Sequence, residues 1–122
     1  MSKSAEVYRE YLAARKKFKV EEARYQIVLL KLFQTVAFSP DYQDAFVTYE
    51  KIKDEGNDDF KCQVKFKMGL HLLAGVGCDK NIAEGCKFII EAERLGLPNA
   101  KRWTKDHGKK NDYGAGEASK LF

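Results

Sequence analysis

Few residues of this chain carry reactive side chains: His71 and His107, and Cys62, Cys78 and Cys86. The cysteines are separated by fifteen and seven intervening residues, a spacing that fits no zinc pattern. His71 falls beside core positions of an expected helix and reads as a structural or partly exposed histidine rather than a ligand. No serine sits in a G-x-S-x-G context. The G-V-G of Gly75 to Gly77 lacks both the further glycine and the preceding strand of a dinucleotide loop. Asp58 and Asp59 form an acid pair better suited to capping a helix than to acid–base work. The expectation is therefore no catalytic, cofactor-binding or metal-binding residues, and a non-catalytic role.

The cysteines bear on compartment as well. Three cannot all pair internally, and none stands at C-x-x-C spacing, which favours a reducing, intracellular environment, cytoplasmic or mitochondrial. A Cys78–Cys86 bridge across a turn is conceivable. The preferred reading is three reduced thiols, with Cys62 and Cys86 as small core residues.

Residue types and spacing do suit binding. The run K-R-W-T-K-D-H-G-K-K, Lys101 to Lys110, sets five basic residues around an aromatic. Tryptophan and arginine are over-represented among energetic anchors of interfaces. The candidate partner-binding residues are Trp103, Tyr113 and Phe122, with Lys101, Arg102 and Lys105 beside them. The same run could stack a base on Trp103 and hold phosphates on Lys and Arg. A second basic cluster, Arg15 to Lys19, is flanked by Glu21 and Glu22 and reads as a solvated helix face.

The elements that would position these residues are helices. Two prolines in 122 residues, and abundant Ala, Glu, Lys and Leu, favour α structure in one domain. No apolar run approaches the roughly 18 residues of a membrane span; the most apolar stretch, Tyr25 to Phe38, is interrupted by Lys31 and Gln34. The start of the chain lacks the hydrophobic region of a secretory signal. Charge is striped: residues 1–37 hold eight Lys/Arg against four Glu, residues 38–61 three against seven acids, and residues 62–122 eleven against seven. Such stripes can set the register of an assembly.

Taken in order, Val7, Tyr8, Tyr11, Leu12 and Phe18 give a first helix one apolar face. Val20, Ala23, Ile27, Leu30, Leu32 and Phe33 continue into a second helix, with a break expected near Lys19 to Glu21. Ser39 and Pro40 are placed to open a third over Asp41 to Glu55, ended by Gly56. Asp58 or Asp59 would cap a fourth, over about Phe60 to Ala74, with Val64, Met68, Leu72 and Leu73 in the core. A fifth is expected over about Asn81 to Leu95 and a sixth from Pro98 to Gly108. The remainder, residues 109–122, is polar and glycine-containing, and alone should be disordered.

The stretch M-G-L-H-L-L-A-G-V-G-C-D-K-N-I-A-E-G-C-K-F-I-I-E-A-E-R-L-G-L-P-N-A, Met68 to Ala100, carries a family likeness. Gly69, Leu72, Gly75, Gly77, Asn81, Gly85, Phe88, Ala92, Gly96 and Ala100 stand at the spacing of a Sel1-like repeat, a relative of the tetratricopeptide helical hairpin. A fainter copy lies forty positions earlier, where Gly56, Ile52, Tyr49, Ala45, Leu32 and Leu30 answer Gly96, Ala92, Ile89, Gly85, Leu72 and Leu70. Self-similarity at such a period marks a solenoid array. The chain thus resembles a short all-α solenoid of antiparallel helix pairs, about two and a half Sel1-like or TPR-like repeats. Its expected parts are an N-terminal capping helix (1–19), a degenerate first repeat (20–56), a second repeat (57–96), a C-terminal capping helix (97–108) and a polar tail (109–122).

The resemblance implies scaffolding. The leading expectation is an accessory subunit of a larger multiprotein assembly, bound to other proteins and to no cofactor. The alternatives are a small nucleic-acid-associated component of a ribonucleoprotein and a regulatory adaptor that binds a partner peptide.

Overall fold

A computed structural model describes residues 3–17 and 22–122, without the side chains of residues 3, 4, 7, 14–17, 22–26 and 28. Among the described residues there is no strand. The helices are α1 (Lys3–Lys17), α2 (Glu22–Ala37), α3 (Tyr42–Ile52), α4 (Asp58–Ala74), α5 (Ile82–Arg94), α6 (Pro98–His107) and α7 (Ala115–Ser119).

Local chemistry sets most of the starts. The side chain of Asn57 accepts from the Phe60 N–H at 3.0 Å, and that of Asn81 from the Glu84 N–H at 3.0 Å. Each satisfies an orphan donor of the first turn. Asn57 therefore caps α4 in place of Asp58 or Asp59, which fall inside its first turn, where carboxylates favour the helix dipole. Asp41, not Ser39, caps α3, accepting from the Asp44 N–H at 3.0 Å. The Ser39 hydroxyl accepts from the Asp41 N–H one step earlier, at 3.2 Å. α3 closes at Ile52, short of the expected Glu55. Pro98 stands in the first turn of α6, where its missing N–H costs nothing.

α4 is the axis of the molecule. Phe60, Val64, Met68 and Leu72, spaced by four, join a core cluster with Tyr11 of α1, Leu29, Leu32 and Val36 of α2, and Phe46, Tyr49 and Ile52 of α3. Cys62, Leu70 and Leu73 of the same helix join a second cluster with Ile89 and Ala92 of α5, Ala100 of α6, and Tyr113, Ala115 and Ala118 beyond it. A helix buried on two sides shows no single apolar stripe; the expected core residues Val64, Met68, Leu72 and Leu73 are all buried, divided between the two clusters.

α4 and α5 run antiparallel and cross at glycine. A β-carbon on Gly69 would stand 2.9 Å from the Gly85 carbonyl oxygen, and one on Gly85 would stand 2.9 Å from that of Gly69. The turn between them is closed by the Gly75 N–H on the His71 carbonyl (2.8 Å) and the Asn81 N–H on that of Leu72 (2.9 Å). At the other end of the chain, α2 lies mainly along α1 and makes smaller contacts with α3 and α4. The Lys31 ammonium meets the Glu10 carboxylate at 3.1 Å, which ties α2 to α1. The two segments that self-similarity relates are thus not packed alike: α4 pairs with α5, whereas α2 pairs with α1 more than with α3. The expected break at Lys19 to Glu21 and the side chains of the Arg15 to Lys19 cluster lie outside the described residues.

Residues 109–122, expected to be disordered alone, instead pack onto α4. Tyr113, Ala115 and Ala118 are buried, and Gly114 takes φ +85° to admit the sharp turn into α7. Small residues, weak in hydropathy, let this segment approach the α4 surface closely.

Candidate interaction surfaces

The sequence-predicted binding residues divide into two groups in space. Lys101, Arg102 and Lys105 are exposed on α6, with Lys109 and Lys110 exposed just beyond it. Trp103 is half-buried: its indole N–H donates to the Tyr113 carbonyl at 2.9 Å, and its ring lies 6.3 Å edge-on from Phe66 and 4.5 Å from His107. Tyr113 is buried, its hydroxyl 2.7 Å from that of Thr104. Trp103 and Tyr113 thus meet each other and fasten the tail of their own chain. Phe122 sits elsewhere, half-buried against Tyr42 and His71.

His71 is buried, and its Nδ1 stands 2.8 Å from the Val76 carbonyl. With Nδ1–H as donor, the ring and the residue's own carbonyl together hold the α4–α5 turn. Its faces meet the rings of Tyr42, Phe46, Tyr49 and Phe122. Burial holds the imidazole below its ordinary range; the Val76 carbonyl pulls the other way, and Lys67 adds to the depression. An unfolded chain therefore takes up the His71 proton at higher pH than the folded one. Its contribution to stability is complete above the ordinary histidine range of about 6.5 and is lost as pH falls through the folded value. We expect the unfolding free energy from urea titrations to drop between pH 7.5 and pH 5, by up to about 1.4 kcal/mol per pH unit within that window. His71→Gln should flatten this part of the profile, and an unchanged slope would refute the assignment.

The three thiols are free. Burial raises each of them, Cys78 to about 11 with help from Asp79 and Glu50, so none is an activated thiolate at neutral pH. Among the described residues, no group of three or more His, Cys, Asp or Glu side chains is placed to hold a metal ion. Nor is any helix there long and apolar enough to cross a membrane.

The surface features that sequence reasoning missed are apolar. On α2 the side chains of Leu29, Leu32 and Val36 point inward, while Ile27 is 67% and Leu30 49% exposed. Phe38, just past the end of α2, is 88% exposed, the highest exposure of any large apolar side chain described. The signal was present in the run Ile27 to Leu30, four consecutive apolar residues that a helix cannot all turn to one side. Beside Phe38 lies a cleft of about 360 Å³ between the end of α2, the start of α3, and α4, floored by Tyr49 and His71 and bordered by Phe122.

A second groove of about 210 Å³, lined mostly by charged residues, runs between the end of α3 and α5. Within it the half-buried Lys65 ammonium spans Asp54 at 3.5 Å and Glu91 at 3.2 Å. These charges answer one another, and the groove reads as a tie between α3, α4 and α5. Compared with protein-family models, with curated proteins and with solved structures, the chain matches none.

Proposed function

We propose that this chain is a non-catalytic protein-interaction module, a small accessory subunit of a larger multiprotein assembly inside the cell, built on short Sel1-like helix pairs in a solenoid-like array. The observation that carries the reading is the set of outward apolar side chains Ile27 and Leu30 of α2, with the almost fully exposed Phe38 just past its end. A folded chain gains nothing from presenting a phenylalanine to water, and exposed apolar side chains of this kind suit a protein contact. The Sel1-like spacing of Gly69 to Ala100 and the glycine crossing of α4 with α5 support the helix-pair part of the reading. In a reducing compartment the three thiols would stay free.

Gentle affinity purification of the tagged chain, followed by sizing, tests it. The expected result is elution within a stoichiometric complex far larger than the chain's own 14.0 kDa. Ile27→Asp with Leu30→Asp should release the chain from that complex, each anchor being worth about 2 kcal/mol, or roughly thirtyfold in affinity. These side chains are exposed, so the variant should unfold at the same urea concentration as the parent. Elution of the unmodified chain as a monomer would overturn the reading.

The nucleic-acid alternative draws on the exposed Lys101, Arg102, Lys105, Lys109 and Lys110. It must do without a free Trp103, whose indole N–H and ring are engaged within the chain. Binding that falls steeply with added salt would mark that alternative.

A further inference from the structure

The cleft beside Phe38 already holds a ligand of a kind, a side chain of the same chain. The Phe122 ring centroid lies 4.6 Å from that of His71, and 5.5 Å from that of Tyr42 at an interplanar angle of 82°. Both separations fall in the range at which aromatic pairs attract. Behind His71 stand Phe46 and Tyr49, with centroids at 6.0 Å and 5.9 Å, so the seat is a box of rings.

The segment that delivers Phe122 is lightly held. Leu121 is 58% exposed, α7 spans only five residues, and Phe122 makes no hydrogen bond among the described residues. About 360 Å³ of cleft remains open next to the ring, within the volume range of ligand pockets. Its lining includes Lys67 and no Asp or Glu. Lys67 forms no ion pair among the described residues.

We propose that this cleft docks an aromatic side chain with an acidic neighbour, carried by a peptide segment of a partner protein, and that Phe122 is the displaceable internal plug of the site. The ring box takes the aromatic group that Phe122 otherwise supplies. Lys67, which pairs with no acid among the described residues, meets the neighbouring carboxylate. Phe38 at the rim covers the incoming segment. The plug keeps the box dry when no partner is bound and lowers the apparent affinity by the fraction of time it is seated. The proposal rests on the reading of the chain as an interaction module and supplies the partner chemistry for one surface of it.

The test uses the full chain and a fluorescein-labelled Asp-Asp-Phe peptide, with an Asp-Asp-Ala peptide as control. A plug seated nine-tenths of the time lowers affinity about tenfold, so Phe122→Ala should bind the Phe peptide about tenfold more tightly than the parent chain. Lys67→Glu should weaken binding in either background, and the Ala peptide should bind to neither. In the unmodified chain, saturating Phe peptide should shift the His71 ring resonances and abolish the nuclear Overhauser contact between Phe122 and His71. That measurement stands even if Phe122→Ala folds poorly.

Persistence of the Phe122–His71 contact at saturation, or equal binding of the two peptides, would overturn the proposal. So would a folded Phe122→Ala variant that binds no more tightly than the parent. If the peptide is ignored while the chain still co-purifies in a complex sensitive to Ile27→Asp and Leu30→Asp, the cleft proposal alone fails. If no complex is found either, the interaction reading fails with it.

Discussion

Gly77→Ala is expected to destabilise the fold by about 3 kcal/mol, lowering the thermal midpoint by about 10–20 °C. Two causes add. Gly77 holds φ +77°, the left-handed region, which costs an L-residue roughly 1–2 kcal/mol. In addition, a β-carbon there would collide with the backbone carbonyl of Tyr42, and backbone cannot move aside by changing rotamer. The α4–α5 turn leans on the start of α3 at this point, so relief of the collision must push the two apart. Gly96→Ala separates the causes. Its φ is +102°, but nothing lies within 4 Å of the added carbon, so it should show the conformational cost alone. Gly116→Ala, with open space and no positive φ, should be neutral or slightly stabilising. Urea denaturation of the three variants reads this order directly. Equal losses at Gly77 and Gly96 would mean that the Tyr42 contact is not rigid.

That contact shows what a sequence can and cannot reveal about this molecule. Glycine at positions 75 and 77 is legible as a turn, because only a turn needs two such residues between apolar segments. That Gly77 also touches α3 is not legible, since the contact joins residues thirty-five apart in sequence. The helical character of the chain, the start of α6 at Pro98 and the close approach of Gly69 to Gly85 follow from local rules of propensity, capping and small-residue spacing. Which face of α2 turns inward does not. Its apolar residues are spread around the helix, so periodicity groups Ile27 and Leu30 with Leu32, whereas the core shared with α1, α3 and α4 takes Leu32 together with Leu29 and Val36 and leaves Ile27 and Leu30 exposed.

The packing of the tail is hidden in the sequence for a related reason. Ala115 and Ala118 add little hydropathy, yet their small size is what lets α7 lie on α4. An aromatic in a polar stretch looks like an anchor for a partner; Trp103 and Tyr113 instead anchor their own chain. The cleft of His71, Tyr42 and Phe122 could not be read at all, because its walls come from segments near residues 36–49, 67–71 and 121–122. Only the tertiary fold brings those together.

The α4–α5 crossing is the other place where one methyl group should matter, and there the outcome turns on which neighbour yields. A β-carbon on Gly69 would lie 2.6 Å from Ile89 Cγ1 and 2.9 Å from the Gly85 carbonyl oxygen. Alanine in a helix gains about 1 kcal/mol over glycine, while overpacking costs about 1–3 kcal/mol, so Gly69→Ala should come out modestly destabilising. Gly69→Val adds two methyl groups on a stiff side chain and should cost about 3–4 kcal/mol, enough to part the two core clusters that α4 joins. A double-mutant cycle with Ile89→Ala decides the mechanism. If the Ile89 side chain is the obstacle, its removal relieves the clash, and the pair is less destabilised than the sum of the singles by about 1–2 kcal/mol. If the Gly85 backbone is the obstacle, the losses add. The geometry favours relief in part and never in full, because the carbonyl oxygen remains within 3 Å after the isoleucine is gone. A coupling energy of zero would place the whole conflict on the backbone and make glycine at 69 a requirement of the helix pair itself.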